Sequence, residues 1–290
     1  MTKQFRPRRS VLYMPGSNAR VLEKARELPA DCLIFDLEDA VAPEAKESAR
    51  DQVVAAVKAG GYGHREIIIR VNGLDTVWAQ DDLRAAATAG ADAVLLPKVE
   101  STTTITEAAA WLDDAGAPTD LPIWIMIETP RGVLDLDSIV AGQSRLQVIV
   151  IGTSDLARQM RIASDGDRTG LMYALGSCLL TARACGIDII DGVHLALDDA
   201  EGLRIACQQG RELGFDGKSL IHPRQIAIAN EHFGVSTAEA ANARKIVAAW
   251  QAARKEGLGI TVVDGRLVEQ LHVDEAERVL AIIKATEEHS

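Results

Sequence analysis

Eight short apolar runs, rich in β-branched residues, alternate along the chain with longer stretches of helical periodicity. The runs are SVLYMPG (10–16), CLIFDLED (32–39), EIIIRVNG (66–73), AVLLPKV (93–99), IWIMIETP (123–130), QVIVIGTSD (147–155), IDIIDGV (187–193) and DGKSLIHP (216–223). They are continuously apolar rather than strictly alternating, which fits strands covered on both faces, as in a parallel sheet. The stretches between them follow helix grammar. SNARVLEKARELP opens on Ser17 or Asn18 and stops before Pro29; APEAKESARDQVVAAVKAGG carries Pro43 in its first turn and ends in glycines. Repeated strand–helix units require right-handed crossovers, and eight of them predict a (β/α)8 TIM barrel. An open doubly wound sheet would call for a GxGxxG turn after an early strand, and YMPGSNARV offers a single glycine.

Residues 1–235 complete the predicted barrel, and 236–290 form a C-terminal extension. TAEAANARKIVAAWQAARKEG reads as a long helix and DEAERVLAIIKATEE as another. Between them, VVDGRLVE places Asp264-Gly265 between two alternating runs, a strong hairpin signal. This helix–hairpin–helix is expected to serve as a lid or an oligomer arm.

Composition narrows the class. The 290 residues are 47% hydrophobic and 25% charged, enough for a large core, and no run reaches the roughly 18 apolar residues of a membrane span. A net charge of −11 argues against non-specific binding to nucleic acid or an anionic membrane. Arg8-Arg9 lacks the apolar segment that a twin-arginine signal needs, and a cytoplasmic protein is expected. Cys32, Cys178, Cys185 and Cys207 form no CxxC pair and read as small buried thiols.

In such barrels chemistry sits at the carboxyl ends of the strands. Those ends carry Asp36, Glu38 and Asp39, then Arg70 and Asn72, Lys98, Glu128, Asp155, Asp191 and His194, and Lys218 and His222. GxSxG and HExxH are absent. An ionised carboxylate is costly to bury alone, so Glu128 and Asp155 read either as ligands of a hard cation such as Mg²⁺ or as partners of a helix N-terminus, Arg131 or Arg158. Arg70 offers a fork for a carboxylate or an oxyanion, or else a structural ion pair to Asp36 or Glu38. Lys98 and His222 are equally open between a site role and a structural bond. His64, His232 and His289 have surface-like contexts, and the aspartates of SDGDRTG (164–170) lack the full spacing of a calcium loop.

Seven segments occur together in order: RSVLYMPGSNARVLEKA, DCLIFDLEDAVAPEAKESAR, IIIRVNGLDT, VLLPKV, MIETPRGV, DGKSLIHPRQI and GRLVEQLHVDEAERVL. Over essentially the whole chain they resemble the citrate lyase β-subunit-like CoA ester lyases of the HpcH/HpaI aldolase superfamily. The resemblance implies a barrel with a C-terminal lid, a homotrimer or hexamer, and Mg²⁺ held at Glu128 and Asp155. It further implies that Arg70 holds a substrate carboxylate or keto oxygen, that Asp39 lies near the metal waters, and that Tyr13 and Lys24 contact the CoA nucleotide. Two positions depart from the pattern. Ser154 stands where many members carry glutamate, and Glu269 stands at the lid aspartate, which shifts its carboxylate by about a bond length, enough to matter for a catalytic group. GTSDLARQM and VEQLHV look most like the (3S)-malyl-CoA thioesterase subgroup. The implied substrate is a 3-hydroxydicarboxylyl-CoA such as (S)-malyl-CoA. It would be cleaved to acetyl-CoA and glyoxylate, or alternatively hydrolysed to malate and CoA, with Arg70, Asp39 and Glu269 in the chemistry. A citrate lyase β-subunit, a non-catalytic CoA-ester binder and a free-acid aldolase are the remaining alternatives.

Overall fold

Each apolar run becomes a strand because its residues are buried on both faces. The computed structural model, which describes residues 6–163 and 168–287, has β1 (Ser10–Pro15), β2 (Cys32–Asp36), β3 (Glu66–Arg70), β4 (Ala93–Leu96), β5 (Ile123–Ile127), β6 (Leu146–Ile151), β7 (Asp188–Asp191) and β8 (Gly217–Leu220). All pair in parallel, each with its sequence neighbour, and β8 closes on β1 through Ser10 opposite Lys218. The predicted (β/α)8 barrel is therefore the observed fold. The acidic loop at 164–167 and His289 lie outside the described residues.

The inward-facing side chains form one buried cluster, among them Val11, Ile34, Leu95, Trp124, Val150 and Ile190, with Tyr13 packed on it. At the amino end of the strands Arg8 plugs the barrel. It donates to Glu66 at 2.8 and 2.9 Å, pairs with Asp188, and lies over the Trp124 ring. Arg9 donates twice to Asp31 at 2.8 Å. The twin arginines are thus structural ions of the barrel floor.

The first helix starts at one of the two caps expected from sequence, and others show the same cap chemistry. The Asn18 side chain accepts from Val21 N at the start of Ala19–Lys24, Ser101 caps Thr102–Asp114, and Gly214 closes Ala200–Leu213 in the left-handed conformation. Four short helices are not evident in the pattern: Pro130–Leu134, Leu136–Val140, Thr153–Gln159 and Ile226–His232. Each is only one or two turns long, too short to display a 3.6-residue period. Cys185 departs from expectation: it is exposed, just past the end of Met172–Ala184, whereas the other three cysteines are buried.

The chain divides into two compact units, Arg8–Asn230 and a second comprising Met1–Pro7 with Glu231–Ser290. In the second, helices Thr237–Lys255 and Gln270–Glu287 flank a hairpin of β9 (Thr261–Val263) and β10 (Arg266–Val268). Its turn is Asp264-Gly265, at φ 48° and 77°, as a two-residue hairpin of this twist requires. Trp250, Val268 and Val273 form the core of this unit, and a Ser236–Glu239 capping box opens its first helix. No described helix is long and apolar enough to cross a membrane.

Candidate active site

The carboxyl end of the barrel is lined with acids from β2 onward. Asp36, the last residue of β2, accepts from the backbone N–H of Glu38 (2.8 Å) and Ala40 (3.0 Å). It also accepts from Arg70 Nε at 2.7 Å and Nη2 at 2.6 Å. Burial pushes its pKa up, but the Arg70 guanidinium and these hydrogen bonds outweigh that and hold it below the usual carboxylate range. Arg70 Nη1 lies 3.0 Å from Glu38 Oε2 and 3.8 Å from Asp39 Oδ2, and the guanidinium stacks on the Tyr13 ring at 4.8 Å. Arg70 is therefore held by Asp36 and Glu38, the ion pair that the sequence left open.

Tyr13 points into the barrel rather than out toward solvent. Its hydroxyl is buried without a hydrogen-bond partner among the described residues, and burial raises its pKa. Lys24 is exposed at the last turn of its helix.

Glu128 immediately follows β5 and is buried. Its Oε1 accepts from the Lys98 backbone N–H at 2.7 Å. Burial pushes its pKa up to about 7; Glu38 and Asp155 push the same way, against the Lys98 N–H and the Arg70 charge. No Lys or Arg side chain forms an ion pair with it among the described residues. Asp155 belongs not to a strand, as its run suggested, but to the first turn of Thr153–Gln159, because β6 ends at Ile151. Its Oδ1 takes Arg158 Nη2 at 2.8 Å across an exposed pair.

Gly152 makes room for Glu128: a Cβ built on it would stand 2.4 Å from Glu128 Cβ and 2.7 Å from Oε2. Gly152→Ala is expected to displace the Glu128 carboxylate and lower kcat/KM about 10²-fold, as small misplacements of such groups do. Steady-state kinetics beside an unchanged far-UV spectrum would check it.

Asn72 is among the strand-end candidates, whereas Lys46 and Asp82 carry no sequence signal of a site role. Lys46 Nζ donates to the carbonyls of Leu37 (2.8 Å) and Glu38 (2.7 Å). Asn72 Nδ2 donates to Leu37 O and to Asp82 Oδ2. Together they fix the acidic loop after β2. His222 turns out to be a cap, accepting from Arg224 N at 3.1 Å.

Asp191 and Lys218 lie away from the mouth. They pair across β7 and β8, and Ile190 is in the interior cluster, so the alternation of strand side chains turns Asp191 outward. Lys218 Nζ donates to Asp191 at 2.7 Å, and Arg168 also pairs with it. Burial pushes the Asp191 pKa up, but Lys218 and Arg168 bring it below its ordinary value. A lowered carboxylate stabilises the fold above its ordinary 3.8 and ceases to do so as pH falls through the lowered value. The stability gap between wild type and Asp191→Asn is expected to be constant near neutrality and to shrink at acid pH in urea titrations.

An acidic mouth on a closed barrel, with paired carboxylates after β5 and β6, suits oxygen ligation of a hard cation. A family model described as HpcH/HpaI aldolase/citrate lyase matches residues 9–223. The chain belongs to that enzyme family. A protein named (3S)-malyl-CoA thioesterase from Cereibacter sphaeroides (strain KD131 / KCTC 12085) is 48% identical over 98% of both chains. A citrate lyase subunit beta from Escherichia coli (strain K12) is 35% identical over 96% of this chain and 94% of its own length. The structure of CitE from Mycobacterium tuberculosis in complex with magnesium, acetoacetate and coenzyme A superposes with a TM-score of 0.73. It is 27% identical, over 96% of this chain and 97% of that one.

Proposed function

We propose that the chain hydrolyses a 3-hydroxydicarboxylyl-CoA thioester such as (S)-malyl-CoA to malate and free coenzyme A, using a Mg²⁺ held by Glu128 and Asp155. The observation that carries this reading is Glu128, a buried carboxylate raised to about 7 with Asp155 adding to its repulsion and no side-chain cation paired to it among the described residues. Such a pair fits a dication that completes its shell with water and substrate oxygens. Among the described residues no three His, Cys, Asp or Glu side chains are grouped to hold a metal, so the fit is to this two-carboxylate arrangement rather than to a zinc-type cage. When bound, the ion supplies Lewis-acid polarisation and a fixed orientation for the acyl group.

The chain's own residues account for the rest. Arg70, held by Asp36 and Glu38, forms a rigid cationic wall beside Tyr13. Asp39, about half exposed, lies 3.8 Å from both Arg70 Nη1 and Lys98 Nζ. Lys24 offers an exposed positive charge to CoA phosphates. Glu269 is assigned, by its correspondence to the family's lid aspartate, to take a proton from the attacking water. The water oxygen bonds to the thioester carbonyl carbon, the carbon–sulfur bond breaks, and the proton leaves with the thiol. The thioesterase name of relatives at 48% identity supports hydrolysis.

A second reading, carbon–carbon cleavage to acetyl-CoA and glyoxylate, draws on the citrate lyase relatives; there Glu269 would protonate the acetyl-CoA enolate. We read the assembly as a homotrimer or hexamer of the 31.1 kDa chain, which light scattering would weigh. Hydrolysis is tested by titrating free thiol during incubation with (S)-malyl-CoA. Thiol release that EDTA stops and Mg²⁺ restores is expected; release indifferent to EDTA would remove the metal from the account.

A further inference from the structure

Lys98, two residues past β4, has φ 51°. A lysine occupies the left-handed region only where its surroundings over-determine it, and such strain gathers at functional sites. Here the strained backbone aims its N–H at Glu128 Oε1, 2.7 Å away. The side chain turns back over the same mouth: Nζ pairs with Glu38 and lies 3.8 Å from Asp39 Oδ1, yet 49% of the side chain remains exposed.

The two cations of the mouth are held very differently. Arg70 is 8% exposed and committed to Asp36 and Glu38. Withdrawing it would strand two buried carboxylates, which is costly. Lys98 can withdraw with little loss, because Glu38 keeps Arg70 at 3.0 Å. An ammonium on a flexible four-carbon stem is also suited to exchanging one carboxylate partner for another.

We propose that Lys98 is the anion receptor of the pocket: its ammonium leaves Glu38 for the free carboxylate at the acyl end of the substrate, while its backbone keeps Glu128 in place. This rests on the reading that the pocket accepts a dicarboxylic acyl group. It makes Lys98 a specificity-determining residue, selecting acyl groups that end in a carboxylate over those that end in a methyl.

The test is calorimetric titration of L-malate into Mg²⁺-loaded wild type, Lys98→Arg and Lys98→Met, with Mg²⁺ binding measured separately on each. Lys98→Met is expected to bind malate about 10- to 100-fold more weakly, the worth of a charge-assisted hydrogen bond. Lys98→Arg should stay within a few-fold of wild type. Mg²⁺ should bind Lys98→Met no more weakly than wild type, since the contact to Glu128 comes from the backbone. Equal malate affinity in wild type and Lys98→Met overturns the proposal. So does a malate loss matched by an equal Mg²⁺ loss, which would mean the side chain only braces the acids, and so does a wild type that binds no malate. Thiol release from malyl-CoA, assayed on the same wild-type sample, separates the two ideas. Hydrolysis without Lys98-dependent malate binding sinks this proposal alone, and Lys98-dependent binding without hydrolysis sinks the functional reading alone.

Discussion

Glu128→Gln is expected to lower kcat/KM by about 10³-fold or more while leaving the metal-free protein at least as stable as wild type. The amide keeps the shape of the side chain and an oxygen to accept the Lys98 N–H two residues past β4. It removes a negative charge that is buried beside Asp155 and Glu38. A neutral amide costs less to bury than an ionised carboxylate, so the fold should not suffer. What would be lost, on the proposed reading, is an anionic ligand. Wild type should show a Tm that rises with Mg²⁺ concentration, because an ion bound to the native state alone stabilises it by mass action. Glu128→Gln should show almost no such rise. A variant that is inactive yet still stabilised by Mg²⁺ would mean that Glu128 acts in some way other than holding the ion.

Arg70→Met is expected to be the most destabilising single change at the site. It leaves Asp36, which is buried and accepts two Arg70 hydrogen bonds, facing the equally buried Glu38 with the compensating charge gone. Breaking a buried pair in this way typically costs about 3–5 kcal/mol. The loss should appear as a lower urea midpoint with little change in slope. Adding Asp36→Asn to Arg70→Met should restore part of the stability, because the second change removes the stranded charge; the coupling follows from the double-mutant cycle. If the double variant is less stable than Arg70→Met by the full cost of Asp36→Asn alone, the two residues are not coupled and the ion-pair account of Arg70 fails.

Much of this architecture was legible in the residues. Most of the strands could be found because a doubly covered strand is largely apolar, although β8 carries Lys218 and Ser219, and the Asp264-Gly265 hairpin because only a few residue types tolerate its turn. The mouth was legible as a list of acids, since a carboxylate after an apolar strand has few reasons to be there. Which acids face inward was not. Asp191 and Glu128 look alike in sequence, each closing an apolar run, yet one is turned outward to Lys218 and the other inward beside Gly152. Strand alternation settles that only once the barrel register is fixed. Lys46 was invisible for a different reason: it sits in an amphipathic helix where lysine is ordinary, and its donation to two loop carbonyls depends on tertiary packing. Arg70 was read as a substrate fork or an ion pair, and its geometry in the fold is that of the ion pair.

On the proposed reading, the acidic mouth after β5 and β6 breaks a carbon–sulfur bond rather than a carbon–carbon bond. The most direct measurement is product partition from (S)-malyl-CoA with Mg²⁺: free thiol and malate counted against glyoxylate trapped as a hydrazone. Equal thiol and malate with no glyoxylate is the expected result. Glyoxylate formed with acetyl-CoA and no free thiol would contradict it.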